Sequence, residues 1–426
     1  MGLHDGHESI ASGISGAASL FPALGSANYR AYFITNGFSL IGTWMQRLAV
    51  SWLVYRISLS PTMLGAADFV SQFSAFLLMP VSGVILDGRE LRRSIWITQI
   101  AALVQATILA GLTLSGMINL PVLFAMCAVL GAINAFDMPG RHALVPQLVE
   151  RREHLANAIA LNSSAFNAAR LVGPSLAGLA VAAWGEGICF ALNALTFLPI
   201  VWVLPRMTLP QSSIRQGKKP FLNELRAGMS YAWRHEGIRS ILILISIFSF
   251  TAMPFAVLLP VVAKDVLGGG AETLGFLLGA LGLGSLAGAL HLAMRQNAEG
   301  LATYVPVAFT CCGLSLVAFT WMSSLWPAMI LLVISGYWMT SGWASANTLL
   351  QMQTDDDKRS RIMSLYMMAF MGMSPLGSLI QGAIAHQAGV AATLSGGGVL
   401  CILSSLAFMR KSGYFGSRRQ RRSSGS

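Results

Sequence analysis

Charged residues are scarce in this 426-residue chain. They make up 11% of the sequence, whereas hydrophobic residues make up 54%. A soluble domain carries about 25% charged residues, so this composition excludes an ordinary soluble core. Acidic residues are fewer than basic ones, 17 against 28, which gives a net charge of +11. We attribute the basic excess to loops that face anionic membrane lipid, and we expect no nucleic-acid partner.

Other absences narrow the possible functions. The five cysteines all fall in apolar segments without metal-ligand spacing, so we expect neither a metal site nor a disulfide framework. The phosphate-binding pattern GxxxxGKS or GxxxxGKT does not occur, which argues against a nucleotide-driven pump, and we expect no cofactor. The first 28 residues contain no Lys or Arg and no apolar core, so we do not expect a signal peptide.

Long apolar runs dominate the rest of the chain. Each is close to the ~20 residues that a helix needs to cross ~30 Å of hydrocarbon. We place them at 31–55, 62–86, 94–115, 120–138, 158–182, 187–205, 240–262, 273–293, 302–322, 326–348, 362–385 and 391–409. The sequence therefore predicts an all-α membrane protein with twelve transmembrane helices.

The basic residues lie almost entirely on one side of these spans. Of the 28 Lys and Arg residues, all except Arg47, Arg56, Arg170 and Lys264 fall in the tails or in the loops after even-numbered spans. Short loops rich in Lys and Arg remain in the cytoplasm, so both termini are predicted to be cytoplasmic.

A polar linker divides the spans into six and six. Residues 206–220 form the longest polar stretch between spans, and the following segment, 221–239, is amphipathic. We expect this segment to lie on the inner membrane surface, the alternative being an extension of span seven. The predicted parts are a cytoplasmic tail (1–28), an N-terminal six-helix bundle (29–205), the linker with its amphipathic helix (206–238), a C-terminal six-helix bundle (239–410) and a basic tail (411–426).

The two halves show a weak internal repeat. Gln, Leu and Phe recur at the same spacing in 147–166 and in 351–370, after the fourth span of each half. Six-plus-six spans with a repeat are typical of transporters in which two pseudo-symmetric bundles rock around a central site.

The loop after span two combines a glycine, an aspartate and arginines, in the order Gly83-Val-Ile-Leu-Asp87-Gly-Arg89-Glu-Leu-Arg92-Arg93. Glycine allows helices to approach closely, and an aspartate can face a helix N-terminus. This loop resembles the signature loop of the major facilitator superfamily, although Gly88 and Leu91 stand where basic residues are usual. Positive-inside charge alone would explain the arginines but not the glycine and aspartate.

Further stretches resemble one branch of that superfamily, the transmembrane secretion effectors, which includes enterobactin-exporter-like and macrolide-efflux-like proteins. They are Gly42–Arg47, Asn134–Arg141, Asn157–Asn162 and Arg361–Tyr366. The resemblance covers residues 28–410. It implies the major facilitator fold, a location in the bacterial inner membrane and export driven by an ion gradient, and we expect a monomer.

Span five contains Gly173-Pro174, which resembles the glycine-proline motif of superfamily antiporters. Such a pair bends a helix and frees carbonyl groups, so a gating role is one interpretation. Ordinary close packing is the other, because both residues are common in membrane helices.

Arg47, Asp68 and Arg170 lie well inside predicted spans, where each needs a partner or a wet cavity. Arg47 and Asp68 lie at similar depth, ~13 and ~10 Å from the outer end by helix rise. We predict a substrate site for an amphiphilic, anionic molecule, the alternative being a fixed Arg47–Asp68 ion pair. The predicted substrate-binding residues are Asn36, Arg47, Gln72, Arg170, Tyr337 and Tyr366.

Two further roles complete the hypothesis. Asp68 is the only acidic residue well inside a span, so it is the candidate proton carrier. Asp87, Arg92 and Asp137, with Arg141 one turn on, are predicted to form a cytoplasmic gating cluster.

The leading interpretation is a proton-coupled exporter of a siderophore-like or drug-like amphiphile by alternating access. The alternative is a non-transporting membrane receptor or a lipid-modifying enzyme. An enzyme is disfavoured because no span carries a cluster of Ser, His and Asp residues.

Overall fold

A computed structural model describes residues 21–87, 90–207, 221–295 and 299–423, and this part of the chain folds into helices without strands. In chain order the long helices are α1 (Ala27–Ser58), α2 (Pro61–Asp87), α3 (Leu91–Leu114), α4 (Leu120–Leu148), α5 (Leu155–Val203), α6 (Phe221–Arg234), α7 (Glu236–Thr251), α8 (Ala271–Met294), α9 (Leu301–Phe319), α10 (Leu325–Met352), α11 (Arg359–Ala388) and α12 (Val390–Ser423).

Helix α5 contains two of the predicted spans. Its backbone leaves the helical conformation at Gly185 (φ 80°, ψ 170°), a region that only glycine enters readily. The first arm (155–184) contacts α1 at Trp44, and the second arm (186–203) contacts α1 at Gly42, two residues away. The arms therefore form a hairpin that flanks α1.

Span seven is broken rather than continuous. After α7 the chain forms a 3-10 helix (Met253–Leu258), a short α-helical turn (Leu259–Val261) and a π-helical turn (Val262–Val266). Pro254 and Pro260 contribute to the break because proline removes a backbone donor and clashes with the preceding turn.

The predicted fold class is confirmed. Among the described residues, ten helical segments are long and apolar enough to cross a membrane, and one of them, the 55-residue segment Arg152–Arg206, is long enough for two crossings. Helix α1 is less apolar because it carries several polar residues that are buried inside the bundle. With α1 and both arms of α5, all twelve predicted spans correspond to helices.

Helix α6 is separate from α7, and the break lies at His235. Met229 and Trp233, four residues apart, expose half or more of their surface. The other side of α6 packs on the start of α11, where Tyr231 Oη donates a 2.9 Å hydrogen bond to Asp355 Oδ2. Burial and this hydrogen bond raise the pKa of Tyr231. The alternative of one continuous helix with span seven is therefore wrong.

The two halves meet along two helix pairs, α2 with α11 and α5 with α8. A Cβ added to Gly65 of α2 would lie 2.2 Å from the Ser378 carbonyl oxygen of α11. A Cβ added to Gly178 of α5 would lie 2.9 Å from the Cα of Gly275 in α8. Glycine is required at both crossings because the backbones themselves are in contact.

These crossings define one end of the molecule. We call the end with the turns at Leu59–Ser60, Gly185 and Leu267–Gly270 the far end, and the opposite end, which leads into residues 208–220, the linker end. Gly65 and Gly275 each lie within two turns of the far end. The halves are therefore held closely together at the far end.

Candidate functional site

Asp68 of α2 lies between the two halves and binds residues from both. Its Oδ2 atom accepts 2.5 Å hydrogen bonds from Gln72 Nε2 on the same helix and from Ser378 Oγ on α11. Its Oδ1 atom lies 3.6 Å from Nη2 of Arg47 on α1. The predicted Arg47–Asp68 pair is therefore present, but the shortest contacts of the carboxylate are the two neutral donors.

Burial of the Arg47–Asp68 pair is unequal. The Asp68 side chain is 15% exposed, whereas the Arg47 side chain is 58% exposed. A guanidinium this open has much of its donor capacity free for another anion. The pair is therefore not the sealed ion pair that a purely structural role would require.

The indole of Trp44 lies between two guanidinium groups. The Cζ atom of Arg47 is 5.3 Å from the ring centroid, and the Cζ atom of Arg170 is 5.8 Å from it. Phe166 meets the same indole edge-on at 5.8 Å. Among the described residues Arg170 has neither a hydrogen-bond nor an ion-pair partner. The N-terminal half therefore holds two cations around one aromatic ring, with a single carboxylate nearby.

Gly173 makes this arrangement possible. A Cβ added there would lie 2.6 Å from the Cβ of Trp44 and 2.9 Å from the Ile41 carbonyl oxygen. The helix continues through Gly173 and Pro174, and its break lies further on, at Gly185. Close packing therefore accounts for Gly173, whereas a gating role for the Gly173–Pro174 pair stays a prediction.

Asn36, Thr43 and Arg47 share one face of α1 in sequence but do not form one site. The Thr43 hydroxyl donates a 2.7 Å hydrogen bond to the Ser39 carbonyl oxygen one turn earlier. Asn36 accepts a hydrogen bond from Nη1 of Arg141. Only Arg47 of the three reaches Asp68. Asn36 thus lies with the predicted gating residues rather than with the two arginines at Trp44.

Asp137 and Arg141 anchor a closed polar network between α1, α3 and α4. Arg141 Nε donates to Asp137 Oδ2 at 2.6 Å, and Thr98 and Gln99 donate to Oδ1 at 2.8 and 2.6 Å. The carboxylate is buried and has a donor for each oxygen. A charge buried in this way is stabilised by its paired and hydrogen-bonded partners.

The loop after α2 does not join that network in this conformation. Arg92 pairs with Glu90 at 2.7 Å and donates a 2.5 Å hydrogen bond to the Met207 carbonyl oxygen. The prediction that Arg92 and Asp137 share one charge cluster is therefore wrong for this conformation, because each is already satisfied by different partners. Arg93 is exposed.

Gly83, Asp87 and Arg89 of the same loop were also predicted to act in gating. No described atom lies within 4 Å of a Cβ built on Gly83, so a close helix approach at that glycine stays a prediction. The Asp87 side chain and Arg89 lie outside the part of the chain that the structure describes.

The C-terminal half contributes aromatic residues in two separate groups. Trp343, Phe370 and Tyr366 stack nearly in parallel, with Trp343 and Phe370 centroids 4.4 Å apart. Within the described chain, Trp343 Nε1 and the Tyr366 hydroxyl are buried without a hydrogen-bond partner. Tyr337 lies instead beside Trp338 and His291. The two tyrosines predicted to bind substrate, Tyr337 and Tyr366, therefore lie in separate clusters.

The far end carries polar contacts that the motifs did not indicate. Tyr55 of α1 donates a hydrogen bond to Asp265, which follows α7 and belongs to the other half. Arg56 pairs with Glu186 at 2.7 Å within the N-terminal half. Arg56, Glu186 and Asp265 lie in short segments between apolar runs, and that position was the available sequence signal.

The sequence is similar to those of known membrane transporters. A family model described as transmembrane secretion effector matches residues 18–414. The Staphyloferrin A transporter of Staphylococcus aureus is 24% identical over 88% of this chain and 94% of its own length. The enterobactin exporter of Salmonella typhimurium is 25% identical over 79% and 81%. Macrolide efflux protein A of Streptococcus pyogenes is 23% identical over 65% and 69%.

Solved structures show the same fold at low identity. The nucleoside transporter NupG superposes with a TM-score of 0.67 at 12% identity, covering 90% of this chain and 98% of that one. A bacterial homologue of the iron transporter ferroportin, in an inward-facing state, gives a TM-score of 0.69 at 15% identity, covering 90% and 98%. These relatives and structural neighbours are transporters, not enzymes.

Proposed function

Since the chain belongs to the transmembrane secretion effector family of the major facilitator superfamily, a family of multi-pass membrane transporters, we propose that it exports a small amphiphilic anion of the siderophore type. The transport step is alternating access of two six-helix halves, and the driving force is the proton gradient. The observation that carries the proposal is the pair of arginines at Trp44, of which Arg170 has no anionic partner among the described residues.

The anion preference rests on the cost of leaving such charges alone. A guanidinium inside a membrane span costs at least ~2.5–3.5 kcal/mol on insertion scales unless it is paired or hydrated. Arg47 is half open and Arg170 lacks a counter-ion among the described residues, so a bound anion would satisfy both. The indole between them adds apolar contact and cation–π stabilisation. An amphiphile with an acidic group and an aromatic or apolar body matches that chemistry.

The orientation follows from the distribution of basic residues. We place the linker end and both termini in the cytoplasm and the protein in the bacterial inner membrane. The far end, where Gly65 and Gly275 bring the halves into contact, then faces outward. In this orientation the structure corresponds to a state closed to the outside, from which substrate enters on the cytoplasmic side.

We assign the remaining predicted residues to gating and coupling. The Asp137–Arg141 network and the loop with Gly83, Asp87, Arg89, Arg92 and Arg93 regulate the cytoplasmic side. Gly173 and Pro174 form a separate gating element in α5, where Pro174 meets Gly275 of the other half. Asp68 carries the coupling proton because it contacts both halves. The working unit is a monomer in contact with membrane lipids and does not bind nucleic acid.

The experiment is uphill transport in vesicles. Purified protein in vesicles with an imposed pH gradient should concentrate a carboxylate or catecholate siderophore, and an uncoupler should abolish this. Arg170→Gln should raise KM for the anion about tenfold or more, the size expected for one charge-assisted contact, with little change for a neutral amphiphile.

Arg206→Gln is the matched control. Arg206 also stacks on a tryptophan, with its Cζ atom 3.9 Å from the ring centroid of Trp202, but it lies in the 3-10 turn (Leu204–Arg206) just after α5. This variant should transport like the wild type. Equal loss of anionic and neutral substrates in Arg170→Gln would contradict the proposed anion site.

A second candidate is efflux of neutral or cationic drugs of the macrolide type. The stacked Trp343, Phe370 and Tyr366 favour it, because aromatic rings bind apolar and cationic groups and do not require an anion. Better transport of a macrolide than of any anion, unchanged in Arg170→Gln, would favour this candidate.

A further inference from the structure

The hydroxyl of Ser378 has two acceptors within reach and only one proton to donate. Its Oγ atom lies 2.5 Å from Asp68 Oδ2 in the opposite half and 3.2 Å from the Ser374 carbonyl oxygen one turn back on its own helix. A serine inside a helix ordinarily donates to the carbonyl four residues earlier. In this structure the shorter contact crosses to the other half.

The crossing contact depends on the charge of the Asp68 carboxylate. An O–H group that donates to an ionised carboxylate gives a 2.5–2.7 Å contact, shorter than the ~2.7–2.8 Å of neutral hydroxyl pairs. Gln72 donates to the same oxygen at 2.5 Å. Oδ2 of Asp68 therefore acts as the acceptor of both donors, and the bond from Ser378 is charge-assisted when the carboxylate is ionised.

We propose that Ser378 is the positioning residue that couples the charge of Asp68 to closure of the far end. When Asp68 is ionised, the hydroxyl donates across the halves and ties α2 to α11. When Asp68 takes up a proton, that bond weakens and the hydroxyl returns to Ser374, so no buried donor is left unpaired. Protonation thus removes a tie between the halves and favours opening.

The location of this contact supports a coupling role. Gly65, three residues before Asp68, touches the Ser378 carbonyl, so the hydrogen bond lies where the α2 and α11 backbones meet. Thr62 makes the next contact along this seam, at 3.4 Å to the Gly382 carbonyl oxygen, and neither group can change its charge. Asp68 is thus the titratable member of this seam.

Other charged or ionisable groups also lie near Asp68. Arg47 faces it from α1, and Cys127 of α4 interacts with it electrostatically. Helix α11 presents Ser378, and the turn Met253–Leu258 beside α2 has no titratable side chain. Neither Arg47 nor Cys127 acts through the Ser378 hydroxyl, so removing that hydroxyl changes a single interaction of the carboxylate.

The test measures opening of the far end as a function of pH. The reporter is Ala271→Cys, a buried position in the α5–α8 seam whose carbonyl touches Gly178, in a background without native cysteines. Its rate of reaction with an impermeant maleimide is divided, at each pH, by the rate for the exposed control Ser115→Cys. This ratio corrects for the pH dependence that the two thiols share.

We expect acid to increase labelling in the wild type. Ser378→Ala removes a bond that favours the ionised carboxylate, so the midpoint should move to higher pH by about one unit, roughly a tenfold change in proton affinity. The matched control is Ser405→Ala, a buried serine that bonds only the Cys401 carbonyl oxygen at 2.8 Å. Its profile should coincide with that of the wild type.

Asp68→Asn supplies the second half of a double-mutant cycle. Labelling should lose its pH dependence in Asp68→Asn, and Ser378→Ala should add little in that background. An equal effect of Ser378→Ala with and without Asp68 would overturn the inference, because it would show a packing effect independent of the carboxylate.

This inference rests on the proposed coupling role of Asp68, and the two can fail separately. If Asp68→Asn still concentrates substrate against a gradient, the coupling role itself is wrong. If Asp68→Asn loses uphill transport while Ser378→Ala keeps the wild-type labelling profile, only the inference about Ser378 is wrong.

Discussion

Arg47 is the more exposed member of the Arg47–Asp68 ion pair. Its exposure determines how much Asp68 contributes to the free energy of unfolding. Breaking a buried pair costs about 3–5 kcal/mol because a charge is left uncompensated. Arg47 is 58% exposed and therefore depends less on Asp68 than a sealed partner would, so we expect the cost to fall below this range. Loss of Asp68 is therefore a small burden on folding.

The variant Asp68→Asn should accordingly fold, bind substrate and exchange it down a gradient. If Asp68 carries the coupling proton, the variant should fail to concentrate substrate, and adding Arg47→Gln should not restore this. If Asp68 only neutralises Arg47, the double variant should recover uphill transport. The measurement is uphill transport and downhill exchange in vesicles for both variants, and recovery in the double variant would contradict the proton-carrier role.

At the scale of the helices, contact between the halves depends on glycine. Gly275 of α8 meets the Pro174 carbonyl oxygen and the Cα of Gly178, at 2.8 and 2.9 Å from an added Cβ. The chain of α5 is fixed there by its own helix, so a larger side chain can only be accommodated by separating the two helices. Overpacking of this kind typically costs ~1–3 kcal/mol.

Gly275→Leu should therefore destabilise the closed far end and lower the rate of transport, while α5 and α8 themselves remain helical. The measurement is the normalised labelling of a buried cysteine at position 271, which should rise at neutral pH. Gly111→Leu is the control, since Gly111 is an exposed helical glycine of α3 with no atom within 4 Å of an added Cβ. Wild-type labelling in Gly275→Leu would show that the seam accommodates a larger side chain without opening.

At the scale of the whole molecule, the charge distribution predicts which end of the protein faces the cytoplasm. The fold itself does not test this orientation in the membrane. Cysteines at Ser115 and Ser324, exposed in far-end turns, should react with an impermeant thiol reagent in intact cells. Cysteines at Glu153 and Glu299, exposed at the linker end, should react only after the cells are opened. Labelling of position 153 in intact cells would reverse the proposed orientation.

Sequence alone predicted the spans and the family because both depend on local signals. Runs of ~20 apolar residues are dictated by membrane thickness, and each predicted run lies on a helix of the structure. Helix ends were less predictable: α4 extends to Leu148, ten residues past the predicted 138, since a helix continues beyond the membrane without any apolar signal. The Arg47–Asp68 pair was also accessible, because equal depth on consecutive helices follows from helix rise.

Tertiary structure alone decided which polar residues meet. Asn36 and Arg47 share a face of α1, yet Asn36 binds Arg141 of α4 and Arg47 binds Asp68 of α2. Different helices pack against α1 at the two positions. Ser378 lies 310 residues from Asp68, and Arg170 reaches Trp44 only because Gly173 lets α5 approach α1. Periodicity assigns a residue to a face of its own helix, whereas the partner across that face is set by how two helices cross, and this depends on backbone contacts between residues far apart in the chain.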